Sequence, residues 1–141
     1  MAYDRNNIFA KIVRGEAPCV KVYEDDATLA FMDIRPQSEG HTLVLPKADG
    51  ETIYDLDPRA ATALMLTTQK VARAVKAVTG CAGVTLAQLN GPAAGQTVGH
   101  VHFHVIPRYD GGTGIHGRNA ASPAKLEAIA AKIRAAMTSL D

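Results

Sequence analysis

The sequence predicts one α+β domain, spanning residues 1–141, whose sheet is mainly antiparallel. Three observations support this fold class. The length of 141 residues, with 47% apolar and 21% charged residues, suits one globular domain with its own core. The predicted strands follow one another instead of alternating strictly with helices, as they would in a parallel sheet. Three histidines at positions 100, 102 and 104 repeat with the two-residue period of a strand.

The first half of the chain predicts a short helix followed by three strands. Apolar residues between Ile8 and Val13 recur at helical spacing, and Gly15 ends this amphipathic helix. Alternating residues then predict a hairpin with an acidic turn, which places Leu29 and Phe31 on one face of its second strand. The strands of this half are predicted over residues 20–23, 28–34 and 42–45.

A long helix over residues 57–80 joins the two halves of the chain. Asp57 is a suitable N-cap, Pro58 suits the first helical position, and Gly80 suits the C-terminal end. Apolar residues and one threonine recur along the helix at spacings of four and three, which predicts one buried stripe. The members of this stripe are Leu64, Thr68, Val71, Val75 and Val78.

The second half of the chain predicts two more strands and a final helix. The strands are expected over 84–89 and 101–107, separated by a loop over 90–99 that is rich in glycine and alanine. A glycine-rich connection over 109–117 leads to a helix over about 122–139. The inner face of that helix is expected to contain Leu126, Ile129, Ile133 and Met137.

Composition and charge argue against several classes of function. The formal net charge is +1, so nothing indicates electrostatic capture of nucleic acid. No window approaches the roughly eighteen apolar residues of a membrane-spanning helix, and the polar N-terminal residues do not resemble a signal peptide. Cys19 and Cys81 have no metal-binding spacing and are expected to be reduced thiols. We therefore expect a cytoplasmic protein without a membrane partner.

The histidine row is the most informative local pattern. In a strand, His100, His102 and His104 lie on one face, while the apolar residues between them lie on the other face and pack on the core. Such a row has three possible uses. Imidazoles bind zinc, a neutral imidazole is a nucleophile that can attack phosphorus and form a covalent intermediate, and buried histidines can be purely structural if they are hydrogen-bonded.

The loop before the histidine row favours phosphate chemistry over zinc catalysis. From Asn90 to Thr97 it contains small residues, an amide and a hydroxyl, so it can close on phosphate oxygens, although an ordinary surface loop has a similar composition. A catalytic zinc site usually needs a nearby carboxylate. The segment from Thr85 to Arg108 contains no Asp or Glu, so the local sequence argues against zinc.

The segment from His100 to Ile106 resembles the His-φ-His-φ-His-φ-φ pattern of the histidine-triad (HIT) family, in which φ is an apolar residue. The similarity extends over about residues 6–109, in the family's order and near its spacing. The supporting segments are Ile8–Ile12, Phe31–Pro36, Gly40–Lys47, Gly95–Val98 and Pro107–Arg108.

The resemblance implies both a fold and an activity. The fold is a HIT-like domain with a mainly antiparallel five-stranded sheet and a long central helix, here with a C-terminal helix added, and the sheet continues across a homodimer. The activity is that of hydrolases and transferases acting at the α-phosphorus of a nucleotide, such as a purine nucleoside phosphoramidate. The reaction passes through a nucleotidyl-histidine intermediate.

The resemblance also implies the roles of the catalytic residues. His102 is the nucleophile, and His100 and His41 support it by hydrogen bonding, although His41 by its sequence position alone is compatible with a surface site. We expect the second ring nitrogen of His102 to donate to a backbone carbonyl, because this leaves the attacking nitrogen unprotonated. His104 and Gln96 are implied to bind phosphate oxygens.

The remaining assignments concern the substrate. Thr97 is implied to lie near the leaving group and Asn90 near the phosphate. Asp33 is implied to bind the ribose, because a carboxylate can accept hydrogen bonds from both vicinal hydroxyls; on its own it is also compatible with a turn. The expected substrate-binding residues are Phe9, Ile12, Phe31, Asp33, Ile34, Leu43, Asn90, Gly95, Gln96, Thr97, Val98 and His104.

The chain departs from the family pattern in ways that affect metal binding and specificity. Many bacterial members carry a cysteine pair of a structural zinc site at the positions of Asn7 and Ala10, so we expect no metal and no cofactor here. The chain has no tryptophan, whereas the animal phosphoramidases end on one that shapes substrate choice. His116 matches no triad position and is expected to be exposed. The alternative functions are a dinucleoside polyphosphate hydrolase, a non-catalytic nucleotide-binding module and a zinc-dependent hydrolase.

Overall fold

The computed structural model describes residues 3–110 and 121–139. The predicted position of His116 and most of the predicted connection 109–117 lie outside these residues. Within them, no helix is long and apolar enough to cross a membrane. Cys19 is half-buried, Cys81 is buried, and both are free thiols, as expected.

The core of the fold is a five-stranded sheet in which every neighbouring pair of strands is antiparallel, as predicted. The order across the sheet is β1-β2-β3-β5-β4, so the last strand in the chain is inserted beside β3. This insertion places the histidine segment in the middle of the sheet. The strands are β1 (Lys21–Glu24), β2 (Thr28–Met32), β3 (Thr42–Pro46), β4 (Gly83–Gln88) and β5 (Phe103–Arg108).

In the described part of the chain, three α-helices cover the sheet: α1 (Ile8–Val13), α2 (Pro58–Thr79) and α3 (Pro123–Ser139). The predicted ends of α2 are confirmed, because the Asp57 side chain accepts a hydrogen bond from the Arg59 amide and Gly80 adopts a left-handed conformation with φ of 65°. The predicted inner faces of α2 and α3 are also buried, except that Val78 is only half-buried.

Alternation along the strands separates two apolar clusters on opposite faces of the sheet. One face packs against α2 and α3, and its cluster includes Val44, Leu64, Val105 and Ile133, none of which has any exposed surface. The other face packs against α1, and its smaller cluster consists of Phe9, Leu29, Phe31, Leu43 and Leu45.

The C-terminal helix covers one end of the sheet. It packs against α2, β1 and β2, and the Arg134 guanidinium donates a hydrogen bond of 2.5 Å to the Lys21 carbonyl on the outer strand β1. This contact protects the β1 edge with a charged side chain. The other outer strand, β4, pairs with β5 and has no second neighbour among the described residues.

Two predicted strand boundaries are wrong by two residues. The strand predicted over 28–34 ends at Met32, because the next amide, that of Asp33, bonds to the His41 carbonyl in the approach to β3. The strand predicted over 101–107 begins at Phe103, because the Val101 amide bonds to the Gly50 carbonyl in a loop. The histidine segment is nevertheless extended enough to keep the predicted alternation.

Candidate active site

A cavity of about 440 Å³ lies between α1 and the strands β2, β3 and β5. Its volume is within the range of small-molecule sites, and its walls are mainly apolar with a few polar groups. The predicted substrate-binding residues that line it are Phe9, Ile12, Phe31, Asp33, Ile34, Leu43, Thr97, Val98 and His104. The predicted nucleophile, His102, lines it as well.

His102 is held so that one ring nitrogen remains available. Its Nδ1 lies 2.7 Å from the His100 carbonyl, and since a carbonyl can only accept, Nδ1 carries the proton and Nε2 carries the lone pair. This confirms the expected backbone contact. Burial lowers the pKa of His102 to about 4, so the ring is neutral at pH 7. The edge of the Phe9 ring packs against it, with a centroid distance of 4.9 Å.

His41 and His104 form a second fixed pair. The Gln37 amide donates to Nδ1 of His41 over 3.1 Å, so the His41 proton is on Nε2. That Nε2 donates to Nδ1 of His104 over 3.0 Å, which leaves the His104 proton on its own Nε2. Burial lowers the pKa of both rings, that of His41 to about 3. The Nε2 of His104 is therefore a hydrogen-bond donor, whereas the Nε2 of His102 carries a lone pair.

The backbone before β3 explains the burial of His41, which is only 1% exposed and not at the surface. Gly40 has a φ of 104°, which favours glycine. A Cβ at this position would lie 3.0 Å from the Thr79 side chain and 3.2 Å from Pro107. The chain can therefore pass close to α2 and β5 only with glycine here, and this brings His41 beside His104.

His100 supports the row from outside the cavity. Its ring is 1% exposed, and burial lowers its pKa. Its Nε2 lies 2.7 Å from the Pro46 carbonyl and so must donate to it. Its Nδ1 then accepts from the hydroxyl of Tyr3 over 2.5 Å. Tyr3 has no role in the sequence-based assignment, because nothing in its local sequence points to residue 100.

Asp33 lies where the strand β2 ends, beside the histidine pair. One carboxylate oxygen accepts from the Arg35 amide over 2.8 Å, and the other lies 3.4 Å from Nε2 of His41. Burial raises the pKa of Asp33 above its usual range. The segment from Thr85 to Arg108 contains no carboxylate, but β2 and β3 bring Asp33 to the histidines, so the absence of a carboxylate from that segment does not by itself argue against zinc.

Asp33, His41 and His104 form a group whose potential metal-ligating atoms all lie within 4.8 Å of one another. A neutral imidazole has one lone pair, and in His41 that lone pair accepts the Gln37 amide proton. The remaining nitrogen of His41 is a donor and cannot bind a cation without the loss of this hydrogen bond. The donor set is therefore matched to hydrogen bonding within the group and fits a metal ion poorly.

Two residues of the loop over 90–99 that are predicted to lie near the phosphate form hydrogen bonds with other parts of the protein instead. The Gln96 amide group donates to the Glu51 and Val98 carbonyls over 2.6 and 2.9 Å and accepts from the Gly91 amide over 2.7 Å. The Asn90 side chain bonds to the Ile53 amide and to Gln88. These groups hold the loop in place and do not line the cavity.

Of the other predicted residues in this loop, some line the cavity and one does not. Thr97 and Val98 line the cavity, whereas Gly95 ends a short turn over Pro92–Ala94 with a φ of 98° and does not. Sequence reasoning missed five cavity residues: Ile8, Ala17, Pro18, Cys19 and Met32. Three of these belong to the connection between α1 and β1, whose proline signals only that the helix cannot continue.

Comparison with known proteins agrees with this geometry. Residues 14–111 match the family model described as the HIT domain. The chain belongs to the HIT family. In a solved structure, a Hit-like protein from Bartonella henselae is 48% identical to this HIT protein and has a TM-score of 0.91, with 96% of this chain and 99% of that chain covered.

Two curated relatives carry functional names. Adenosine 5'-monophosphoramidase hnt1 of Schizosaccharomyces pombe is 42% identical over 101 residues, which cover 72% of this chain and 73% of the relative. Adenylylsulfatase HINT3 of Arabidopsis thaliana is 41% identical over 101 residues, which cover 72% of this chain and 51% of the relative. Both names describe hydrolysis of an adenylyl compound by those proteins.

Proposed function

We propose that this HIT protein is a nucleotide hydrolase or transferase that cleaves at the α-phosphorus of a purine nucleoside phosphoramidate or a related nucleotide. His102 is the nucleophile and forms a covalent nucleotidyl intermediate. The names of the two relatives support an adenylyl substrate. The shared core of the strands, α2 and α3 supports one HIT domain over residues 1–141.

One observation carries the proposal: the Nδ1 of His102 is committed to the His100 carbonyl while the ring lines the cavity. Among the described residues, no buried side-chain nitrogen or oxygen lacks a hydrogen-bond partner. The Nε2 of His102 has no hydrogen-bond partner among these residues. It is therefore not a buried atom and is open to a ligand. Because burial keeps the ring neutral at pH 7, its lone pair is available for attack on phosphorus.

The reaction has two steps. Nε2 of His102 attacks the α-phosphorus, the N–P bond forms, and the bond to the leaving amine breaks as that amine takes a proton from solvent. Water then attacks the same phosphorus and releases a proton to solvent, the N–P bond breaks, and a nucleoside monophosphate leaves while the bonding electron pair returns to Nε2 of His102. His104 lines the same cavity, so its Nε2 proton can donate to the charged phosphoryl oxygens, and such a donor is worth about 3 kcal/mol.

The rest of the cavity suits a nucleoside. The apolar side chains of Ile12, Phe31 and Ile34 offer a surface for the base. Asp33 has one oxygen bonded to an amide and the other near His41, and its remaining lone pairs can accept the ribose hydroxyls. Thr97 belongs to the loop over residues 90–99 and lines the cavity, which supports a contact between its hydroxyl and the leaving group.

The test is to capture the intermediate on His102. Adenosine 5'-phosphoramidate labelled at phosphorus is mixed with the protein for milliseconds, quenched in alkali and mapped by peptide. We expect label on the peptide that contains His102 in the wild type, slower labelling of His104→Gln, and none in His102→Ala. Turnover without label in the wild type, or label that persists in His102→Ala, contradicts the covalent mechanism.

Turnover rates separate the alternative functions. The segment from Gly91 to Val98 resembles the dinucleoside polyphosphate hydrolases of the family, so diadenosine polyphosphate is compared with adenosine phosphoramidate. A higher kcat/KM for the phosphoramidate supports the proposal, and a higher value for the diadenosine compound replaces it with that alternative. Binding of AMP with no turnover of either compound indicates a non-catalytic nucleotide-binding module.

We also propose a homodimer in which β4 continues the sheet into a second copy. The β1 edge is occupied by Arg134, whereas beside β4 an apolar groove is lined by Met65, Leu66 and Leu86, which are 44–62% exposed. Such an edge and patch suit pairing with another copy. We expect Leu86→Lys to be a monomer by light scattering; an unchanged mass contradicts this arrangement.

A further inference from the structure

The residues before α1 and the helix α1 itself each contact the histidine row at one place. The Tyr3 ring meets the His100 ring edge-on, with centroids 5.7 Å apart. Six residues later, the Phe9 ring meets His102 in the same edge-on manner. Tyr3 differs from Phe9 in also making a hydrogen bond, from its hydroxyl to Nδ1 of His100.

We propose that Tyr3 is a positioning residue for the nucleophile, acting through His100 to hold the carbonyl that orients His102. The proposal rests on the proposed function, since it assumes that His102 attacks the substrate. It adds a residue near the start of the chain, outside the cavity, to the groups that determine the rate.

The first step of the argument concerns the His100 ring. Both of its nitrogens are bonded, one to the Pro46 carbonyl at the end of β3 and the other to Tyr3. The ring is 1% exposed, so water cannot replace either partner. Loss of the Tyr3 hydroxyl leaves a buried lone pair without a donor, which is costly, and the ring relieves this cost by moving.

The second step links that movement to the nucleophile. His100 precedes β5, so the peptide between His100 and Val101 is held by one loop hydrogen bond, from the Val101 amide to the Gly50 carbonyl over 2.9 Å, and not by strand pairing. Its carbonyl is nevertheless the acceptor for Nδ1 of His102. When the His100 ring shifts, the carbonyl turns with it, and the direction of the His102 lone pair becomes less well defined. Small errors in the direction of attack lower the rate strongly.

The third step shows that Tyr3 is held in place by its neighbours. Arg5 forms an ion pair of 3.3 Å with Asp49, and its carbonyl accepts from Arg14 over 2.8 Å. The Asp4 carbonyl accepts from the Asn7 side chain over 2.7 Å, and Asn7 also caps α1. These contacts tie the segment to α1 and to the loop after β3. The main chain from which the Tyr3 side chain extends is therefore held in place.

The test compares two losses of a tyrosine hydroxyl. Tyr3→Phe keeps the ring and its edge contact but removes the donor. Tyr23→Phe removes a hydroxyl that bonds to Asp25 over 2.8 Å; Tyr23 lies in the outer strand β1, which β2 and β3 separate from β5. We expect kcat to fall about tenfold in Tyr3→Phe with KM within about twofold, and we expect Tyr23→Phe to match the wild type. Equal kcat in all three proteins overturns the proposal.

A spectroscopic measurement separates this proposal from the proposed function. Nitrogen-15 NMR of the imidazole side chains reports whether Nδ1 of His100 accepts a hydrogen bond and how fast the Nδ1 proton of His102 exchanges. In Tyr3→Phe we expect a shifted His100 Nδ1 signal and faster exchange of the His102 Nδ1 proton. This expectation holds even if the protein turns over neither adenosine phosphoramidate nor diadenosine polyphosphate. If the His102 signals are identical to those of the wild type and of Tyr23→Phe, Tyr3 does not position the nucleophile.

Discussion

One face of the sheet carries α2 and α3, and the other carries α1 and the histidine row. On the first face, Val44, Val105 and Ile133 are completely buried in a mainly apolar cluster. On the second face, a smaller apolar cluster lies beside His100 and His102, which are almost as deeply buried, with 1% and 5% of their surface exposed. Both faces are well packed, but among the described residues the buried imidazole rings lie on the second face.

The difference shows how one strand serves stability and chemistry at once. Val101 and Val105 point to the helical layer while the histidines between them point to the cavity. Burial on the apolar face needs only shape and volume. Burial on the histidine face needs a partner for each polar atom, and these partners determine which nitrogen of each ring carries the proton.

The largest expected effect is that of His102→Ala, a change on the histidine face that should lower activity without unfolding the protein. Removal of the nucleophile is expected to lower kcat by at least about a thousandfold, or about 4 kcal/mol, while the fold remains because the helical face is unchanged. Steady-state turnover and thermal unfolding are measured together. A variant that is folded and retains most of its activity would show that His102 is not the nucleophile.

The reverse separation comes from Leu64→Ala on the helical face. Leu64 is completely buried, so its truncation is expected to lower the free energy of unfolding by about 2–5 kcal/mol. We expect kcat to stay within about twofold at a temperature where the variant is folded. Tyr54→Ala, at an 82% exposed position, is the control and should change stability by less than about 0.5 kcal/mol. A large fall in kcat for folded Leu64→Ala would show that the faces are coupled.

The histidine face should also make the fold sensitive to acid. The pKa of His102 is about 4 in the folded protein and about 6.5 in an unfolded chain. Between these values the unfolded state binds more protons than the folded state. The contribution of His102 to the free energy of unfolding is therefore fully present above about pH 6.5 and is lost as the pH decreases toward 4. The loss from this residue is on the order of 3 kcal/mol.

Denaturant unfolding at fixed protein concentration from pH 7.5 to 4.5 measures this dependence. His102→Gln removes the titrating ring, and we expect it to show a shallower loss of stability than the wild type over the same range. Parallel curves for the two proteins would mean that burial of His102 does not drive the acid sensitivity.

The smallest expected effect is that of metal removal. The His41 nitrogen that faces Asp33 and His104 carries a proton, so we expect EDTA to change kcat by less than about twofold. Turnover is measured before and after dialysis, with metal content determined on the same samples. A loss of activity that added Zn²⁺ restores would assign the histidine face to metal catalysis instead.

Much of the fold can be predicted because local patterns carry it. The two-residue period of the histidine row, the capped stripe of α2 and the inner face of α3 each follow from side-chain spacing within one element. Boundaries were less accurate: β5 begins at Phe103 because a loop carbonyl, that of Gly50, takes the Val101 amide. Competition of that kind involves residues far apart in the chain.

The site divides in the same way. By itself, the sequence determined the strand-like row, the side of the strand that faces the core and, through the family pattern, His102 as the candidate nucleophile. Only the tertiary structure brought Asp33 to the histidines, turned Gln96 and Asn90 into supports of their loop, and placed Tyr3 on His100. The physical reason is that periodicity specifies the direction of a side chain within its own strand, whereas a hydrogen bond needs a distance and an angle that the packing of several elements sets.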